Sequence, residues 1–436
     1  MSTLSYAYDL AALVADAFKH DPTYLGAEAN FKALKEAYPQ ALASVLPNIT
    51  LAANASATKI NVSSAGSDAS TSIFSPGTNS FGVNNYTVTL TQPIFNFSYF
   101  MQLKQADEKV KEAYADYLAA GQDLIVRASQ AYFAVLLAQD TLSYAKANTQ
   151  AVYQQWLQAK VRYQAGLETK TAVYEAKAAY DSSVSREIMA RNDLENSKES
   201  LRAFTGFSVD DVDEVDNKKF KLLMPNPLNV ASWIQKSNQQ NLNLQAARFA
   251  MMAAQKQIKV NYAGHMPTLN LVTDYGRQNN AYNGLANFTQ SDVGVQLAVP
   301  IYAGGQVNSE IRQAKYQYVQ ASETVEKAYR DTFIATRQLF NNVVSDVSKV
   351  KADRQSVISN ASSLQSTQAA YTAGTRTMVD VLLAISNDYQ AKQTLAQDTY
   401  AYLEDTLLLK QQAGILSQKD IVGLNRWLKN RIEGKK

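Results

Sequence analysis

No proline interrupts the chain between Pro93 and Pro225, and through that stretch apolar or small residues recur at spacings of four and three. The series runs Val110, Tyr114, Tyr117, Gly121, Leu124, Ala128, Ala131, Val135, Ala138, Leu142, Ala145, and on to Val152, Trp156, Ala159 and Tyr163. A proline inside a helix removes a backbone donor and clashes with the turn before it. Its absence, together with a seven-residue period, predicts one very long helix with a coiled-coil seam. Leu118, Ile125 and Tyr132, with Leu136 beside them, form a second stripe, so this helix has neighbours on two sides. After Pro300 the pattern returns at Tyr329, Thr336, Val343, Val350, Val357, Leu364 and Tyr371, flanked by Phe333, Phe340 and Val347. The other seam position of this second helix decays to Asp346, Asp353 and Asn360. A strict seven-residue repeat imposes left-handed supercoiling, and helices with two seams can close into a ring.

Ahead of each long helix the period changes from seven to two. Tyr86, Val88 and Leu90 alternate with Thr87, Thr89 and Thr91; Val293, Val295, Leu297 and Val299 alternate with Asp292, Gly294, Gln296 and Ala298. Ile49 and Leu51, and Leu269, Leu271 and Tyr275, supply the partner strands, so the chain holds two hairpins with one apolar face. The two halves are copies. Pro93-Ile94-Phe95 returns as Pro300-Ile301-Tyr302, 207 positions on, and Lys104-Gln105-Ala106 as Arg312-Gln313-Ala314 and Tyr163-Gln164-Ala165-Gly166 as Tyr371-Thr372-Ala373-Gly374, each 208 positions on.

The expected division is therefore a first repeat at 1–206, with a helix, a hairpin at 47–96, a long helix at 98–166 and a return helix at 169–205. An equatorial linker at 207–226 follows. The second repeat spans 227–413, with a helix, a hairpin at 267–303, a long helix at 305–373 and a return at 376–412. A C-terminal equatorial segment occupies 414–436. The helices before the hairpins are read at about 27–46 and 241–262. Pro47, Pro93, Pro267 and Pro300 mark the junctions of hairpin and helix. The fold class is mainly α with a small β part. Phe95, Phe97, Tyr99 and Phe100 cluster where the first hairpin becomes helix, which fits either an aromatic girdle at a membrane interface or buried packing at the junction.

Four strands per chain are too few for a sandwich core, and lipid cannot satisfy their two bare edges, so copies must join. Eight strands would fill their own interior; twelve leave a channel. The competing reading is a soluble coiled-coil scaffold or tether, which an exposed apolar band of strands argues against.

Composition narrows the chemistry. The 436 residues carry a net charge of +3 spread along the helices, without the basic face that nucleic acid requires. The absence of cysteine removes disulfides and thiolate chemistry. No apolar run is long enough to cross a bilayer as a helix. The start, Met1-Ser2-Thr3-Leu4, has no charged-then-apolar leader. Only His20 and His265 could serve as bases near neutral pH, and neither has a nucleophile beside it, so no catalysis is expected. Nor is a cofactor or a metal site. Gly304-Gly305 lacks the lysine of a phosphate loop and reads as a strand-to-helix joint. The acidic run Asp210 to Asp216 departs from a calcium loop in having Val at 215 and no glycine at the required place, so it reads as a solvated linker.

With Val-Pro-Ile-Tyr-Ala-Gly-Gly at 299–305, Val307-Asn308-Ser309, Arg312-Gln313-Ala314 and Gly374 to Leu382, nearly the whole chain resembles the TolC family of outer-membrane exit ducts. The resemblance implies a homotrimer in the outer membrane of a Gram-negative bacterium, with a twelve-strand barrel in the lipid and a twelve-helix tunnel in the periplasm. It implies a passive conduit for drug efflux, type I protein secretion or both, working with a periplasmic adaptor (membrane fusion protein) and an inner-membrane transporter. Carried over residue by residue, the family's periplasmic gate falls on Tyr371, Arg376, Thr171 and Asp380, and the adaptor-docking tips on Arg162, Gly166, Leu167, Gly374 and Thr375. Two positions depart. Leu383 stands where the family has a second gate aspartate, leaving one carboxylate ring where the family has two. Ala172 stands where the family has an aspartate, so the gate tyrosine is expected to lose its carboxylate partner.

Overall fold

The computed structural model describes residues 8–63, 77–207, 209, 212–213, 220–280 and 286–427. Of the acidic run, only Val212 and Asp213 fall among them. Helices α1 (Leu10–His20), α2 (Pro22–Lys35) and α3 (Ala37–Ala43) precede strands β1 (Asn48–Val62) and β2 (Gly77–Phe95). Helices α4 (Phe97–Gln164), α5 (Lys170–Thr205), α6 (Val230–Gln240) and α7 (Leu242–Tyr262) follow, then β3 (Thr268–Asn280) and β4 (Phe288–Ala298), then α8 (Gln306–Thr372), α9 (Met378–Gln412) and α10 (Gln418–Asn425).

The segment expected as one helix at 27–46 is two helices, broken at Glu36. Pro39 is the cause, because a proline ring collides with the carbonyl four residues back, and that residue is Lys35, the last of α2. Three short helices escaped the sequence reading: α1, α6 and α10. Each is stopped and started by a local cap; Asp9 accepts from the Ala12 amide at 2.5 Å and Asn229 from the Ala231 amide at 2.9 Å.

The chain forms two compact units, and each draws segments from both copies of the repeat. One comprises 1–30, 114–246 and 326–436; the other comprises 31–113 and 247–325. In the first, the middle of the predicted seam is buried, while Tyr114 and Tyr163 towards its ends are 49% and 43% exposed. Leu124, Ala128, Tyr132, Phe133, Val135 and Leu136 of α4 pack with Leu10 and Leu13 of α1, Val343, Val347 and Val350 of α8, and Tyr402, Leu403 and Leu407 of α9. Tyr132 is fully buried, and its one hydroxyl proton is shared between the carbonyls of Tyr8 at 3.1 Å and Asp213 at 3.0 Å, so the buried phenol is not left unpaired.

The second unit holds one antiparallel sheet in the order β1-β2-β3-β4, so the two hairpins join through β2 and β3. Register puts Val88 opposite Tyr275, Leu271 opposite Val295 and Leu269 opposite Leu297; Thr89, Asp274 and Asp292 align on the other face. Thr89 Oγ1 donates to Asp274 Oδ1 at 2.5 Å. The apolar face is bare: Ile49, Leu51, Val293, Val295 and Leu297 are each more than 60% exposed.

Strand runs into helix differently in the two copies. After β2 only Asn96 intervenes, its Oδ1 accepting from the amides of Ser98 at 3.1 Å and Tyr99 at 3.3 Å as a helix cap. After β4, residues 299–305 form a connector holding Pro300 and closed by Gly304 and Gly305 at φ 60° and 82°. Pro47 and Pro267 each stand immediately before a strand, and the β2–β3 register shifts between Pro93 and Phe95, as a residue without a donor requires.

Candidate functional site at the helical tips

The turns at Gly166 and Gly374 are built alike. Leu167 N donates to Arg162 O at 2.9 Å and Gly166 N to Tyr163 O at 3.0 Å; Thr375 N donates to Ala370 O at 2.9 Å and Gly374 N to Tyr371 O at 3.0 Å. This crossed pair satisfies the last carbonyls of a helix when the next residue is left-handed, and the glycines sit at φ 75° and 78°. A side chain added at either would meet nothing within 4 Å. The turns present Gly166, Leu167, Gly374 and Thr375 to solvent, with Leu167 68% exposed.

Each return helix then opens on a threonine. Thr169 Oγ1 accepts from Ala172 N at 3.2 Å. Thr377 forms a reciprocal box: its Oγ1 accepts from Asp380 N at 3.3 Å, and Asp380 Oδ2 accepts from Thr377 N at 2.9 Å. Those hydrogen bonds, from the Thr377 backbone first and its hydroxyl next, hold the Asp380 carboxyl below its ordinary range, with a smaller contribution from Arg376. The guanidinium of Arg376 stands 3.9 Å from Asp380 Oδ1. Asp380 thus has a capping role in its own helix, whatever it does in an assembly.

The two tips share one small core, in which Val152, Ala159, Ala172 and Ala176 pack with Tyr371, Met378, Val381 and Ile385. Trp156 and Tyr180 stack at its edge, 5.6 Å between centroids. Tyr371 is 3% exposed, and its hydroxyl donates to Glu168 Oε2 at 2.8 Å. The Arg162 guanidinium lies over its ring, 5.0 Å from the centroid. Burial, and then the Glu168 carboxylate, push the Tyr371 phenol up to about 12, with Arg162 opposing.

Here the expectation of an orphaned tyrosine is overturned. Ala172 is buried and carries no carboxylate, but Glu168, inside the turn itself, reaches the same hydroxyl. Sequence reasoning missed Glu168, although it is the repeat counterpart of Arg376. Of the expected site residues, the structure brings together Tyr371 with Arg162, and Arg376 with Asp380. Thr171 is exposed on the first tip, and Leu383 is 60% exposed on α9. Among the described residues no cluster of three or more acidic or imidazole side chains could hold a metal.

The outer membrane efflux protein family model matches residues 13–207 and 233–414. The outer membrane protein TolC of Vibrio cholerae is 34% identical over 98% of this chain and 96% of that protein. TolC of Escherichia coli is also 34% identical, over 99% of this chain and 87% of its own length. The proteases secretion protein PrtF of Dickeya chrysanthemi is 27% identical over 80% of this chain and 76% of its own. Among solved structures, the outer membrane protein VceC of Vibrio cholerae superposes with a TM-score of 0.77 at 20% identity, covering 93% of this chain and 96% of that one. The outer-membrane channel OprN gives 0.81 at 16% identity, over 94% and 90%. Those two likenesses concern the fold alone.

Proposed function

The chain belongs to the outer membrane efflux protein family, and on that premise we propose how this member works. It is an outer-membrane exit duct that extends into the periplasm and serves efflux and type I secretion. It is a channel; the soluble scaffold reading is set aside, since its relatives are outer-membrane ducts and secretion proteins. The single observation that carries the mechanism is the four-stranded sheet with a bare apolar face and two edges, β1 and β4. Lipid accepts the face but not the edges, which supports three copies closing a twelve-strand barrel around the polar face.

The tips would then form the periplasmic end. Tyr371, held by Glu168 and stacked by Arg162, ties the two tips of one chain together and keeps the tunnel shut. The exposed turns at Gly166, Leu167, Gly374 and Thr375 would receive a periplasmic adaptor, with an inner-membrane transporter behind it. Asp380, presented three times in a trimer, would attract cations at a constriction, with Leu383 as an apolar ring one turn on. Asp380→Asn should weaken block by multivalent cations added from the helical side, and Leu383→Asp should strengthen it.

The test of the duct is extraction from outer membranes in detergent and measurement of the native mass. Three copies of the 48.0 kDa chain are expected. Val295→Asp, on the lipid-facing side, should block insertion, and Gln296→Asp should not. A monomer in the soluble fraction, or equal tolerance of both substitutions, would contradict the reading.

A further inference from the structure

The seam on α8 decays to aspartate at two positions one heptad apart, and the structure shows what faces them. Helices α8 and α9 run antiparallel from the turn at Gly374, so that Asp346 comes near Asp405 and Asp353 near Asp398, close enough for their like charges to interact. The register is that of a regular antiparallel seam, since both pairs are separated by the same seven residues on each helix. Lys349 lies between them on α8 and gives its Nζ to Asp398 Oδ1 at 2.6 Å. One ammonium cannot neutralise four carboxylates.

Solvent reaches the cluster only in part, since Asp346, Asp353 and Asp405 are half-buried. Asp398 is 8% exposed, and Asp346 Oδ2, Asp353 Oδ2 and Asp398 Oδ2 are shielded from water with no N–H or O–H donor on them among the described residues. An ionised carboxylate only accepts hydrogen bonds. Two facing carboxyls can therefore bond only when one of them carries a proton, and burial and like charge both favour that state. Four neighbouring charged groups are committed elsewhere or have the wrong sign. Glu404 on α9 is acidic and is itself pushed up by burial and by Asp405. Asp140 on α4 accepts from the Tyr400 hydroxyl at 2.8 Å. Arg354 lies over the Phe220 ring at 5.7 Å, and Lys392 is paired with Asp388 at 2.7 Å.

We propose that Asp346 and Asp353 each bind one proton, held against the facing Asp405 and Asp398 respectively, and that this makes the α8–α9 contact tighten on acidification. Burial and the facing carboxyl push Asp346 up to about 6, against an opposing Lys349, and push Asp353 the same way. With a folded value raised above the ordinary 3.8, the folded state binds the extra proton. The stabilisation is whole below 3.8 and is lost as pH rises through about 6. The inference concerns this seam alone and stands or falls separately from the reading of the tips.

The experiment is hydrogen–deuterium exchange on the full chain in detergent, following peptides from 342–357 and 395–408 at pH 5 and pH 8, corrected for intrinsic exchange. Protection should be on the order of tenfold greater at pH 5, while an α4 peptide spanning 124–138 changes little. The double substitution Asp346→Asn and Asp353→Asn replaces the bound proton with an amide donor, so protection should stay high at both pH values. Should that variant fail to fold, the single substitution Asp346→Asn remains decisive: the infrared carboxylic C=O absorbance lost between pH 5 and pH 8 should be smaller than in the unaltered protein, and an equal loss would overturn the proposal. Protection independent of pH, or a seam at pH 8 held by added calcium and released by a chelator with no response to acid, would overturn the proposal.

Discussion

Tyr163 and Tyr371 occupy the same place in the two copies of the tip, yet one is 43% exposed and the other 3%. The turns beneath them are hydrogen-bonded identically, so backbone geometry does not separate them. What separates them is the charge that the facing turn supplies. The first turn offers Glu168 to Tyr371, and at the matching position the second turn carries Arg376, which pairs with Asp380 in the first turn of the following helix. Duplication set up a symmetric frame; substitution at one position in each turn made one tyrosine a tie and left the other at the surface.

The largest effect should separate those tyrosines. Tyr371→Ala empties a buried aromatic site and should cost about 3–5 kcal/mol, whereas Tyr163→Ala, at the surface, should stay within about 0.5 kcal/mol. Thermal unfolding of the detergent-solubilised protein reads both, and equal losses would erase the distinction. Next come the glycines. With no atom near either Cβ, Gly166→Val and Gly374→Val should each cost about 1–2 kcal/mol, the penalty of a left-handed backbone alone. Both should impair capture of a periplasmic adaptor before they impair folding, which a binding assay on folded trimers would show.

The caps should differ by less. Thr377→Ala breaks a reciprocal box and should cost about 1–2 kcal/mol, against about 0.5–1 for Thr169→Ala, which loses one bond. The smallest difference is in pH. The Asp380 carboxyl is held below its ordinary 3.8, so the stabilisation it gives is present above that value and is lost as pH falls through the depressed one. Exchange at the first turn of α9 should therefore rise in acid while that of α5 does not.

Much of this was legible in the sequence. The seven-residue period of Leu124 to Ala145 and the alternation of Val293 to Val299 gave helix and strand because burial enforces each periodicity over many residues. The tip turns were legible because Gly166 and Gly374 each close a long periodic run. The short helices were not, since α1, α6 and α10 bury only one or two turns each. The break at Glu36 followed from Pro39, whose ring acts four residues upstream of itself. Glu168 escaped because the resemblance directs attention to position 172, whereas the contact depends on how far a longer side chain reaches from the turn. The facing of Asp346 and Asp353 by Asp405 and Asp398 needed the antiparallel register, which no single-helix pattern contains.

The most direct test of the account is single-channel conductance of the purified trimer in planar bilayers, comparing the unaltered protein with Tyr371→Phe and Tyr163→Phe. Removing the Tyr371 hydroxyl keeps the packed ring and deletes only its bond to Glu168, worth about 1.5–3 kcal/mol for a charge-assisted contact. The account predicts a several-fold rise in resting conductance for Tyr371→Phe and none for Tyr163→Phe. Unchanged conductance in Tyr371→Phe, or the same rise in both, would contradict a tunnel held shut by that one tyrosine.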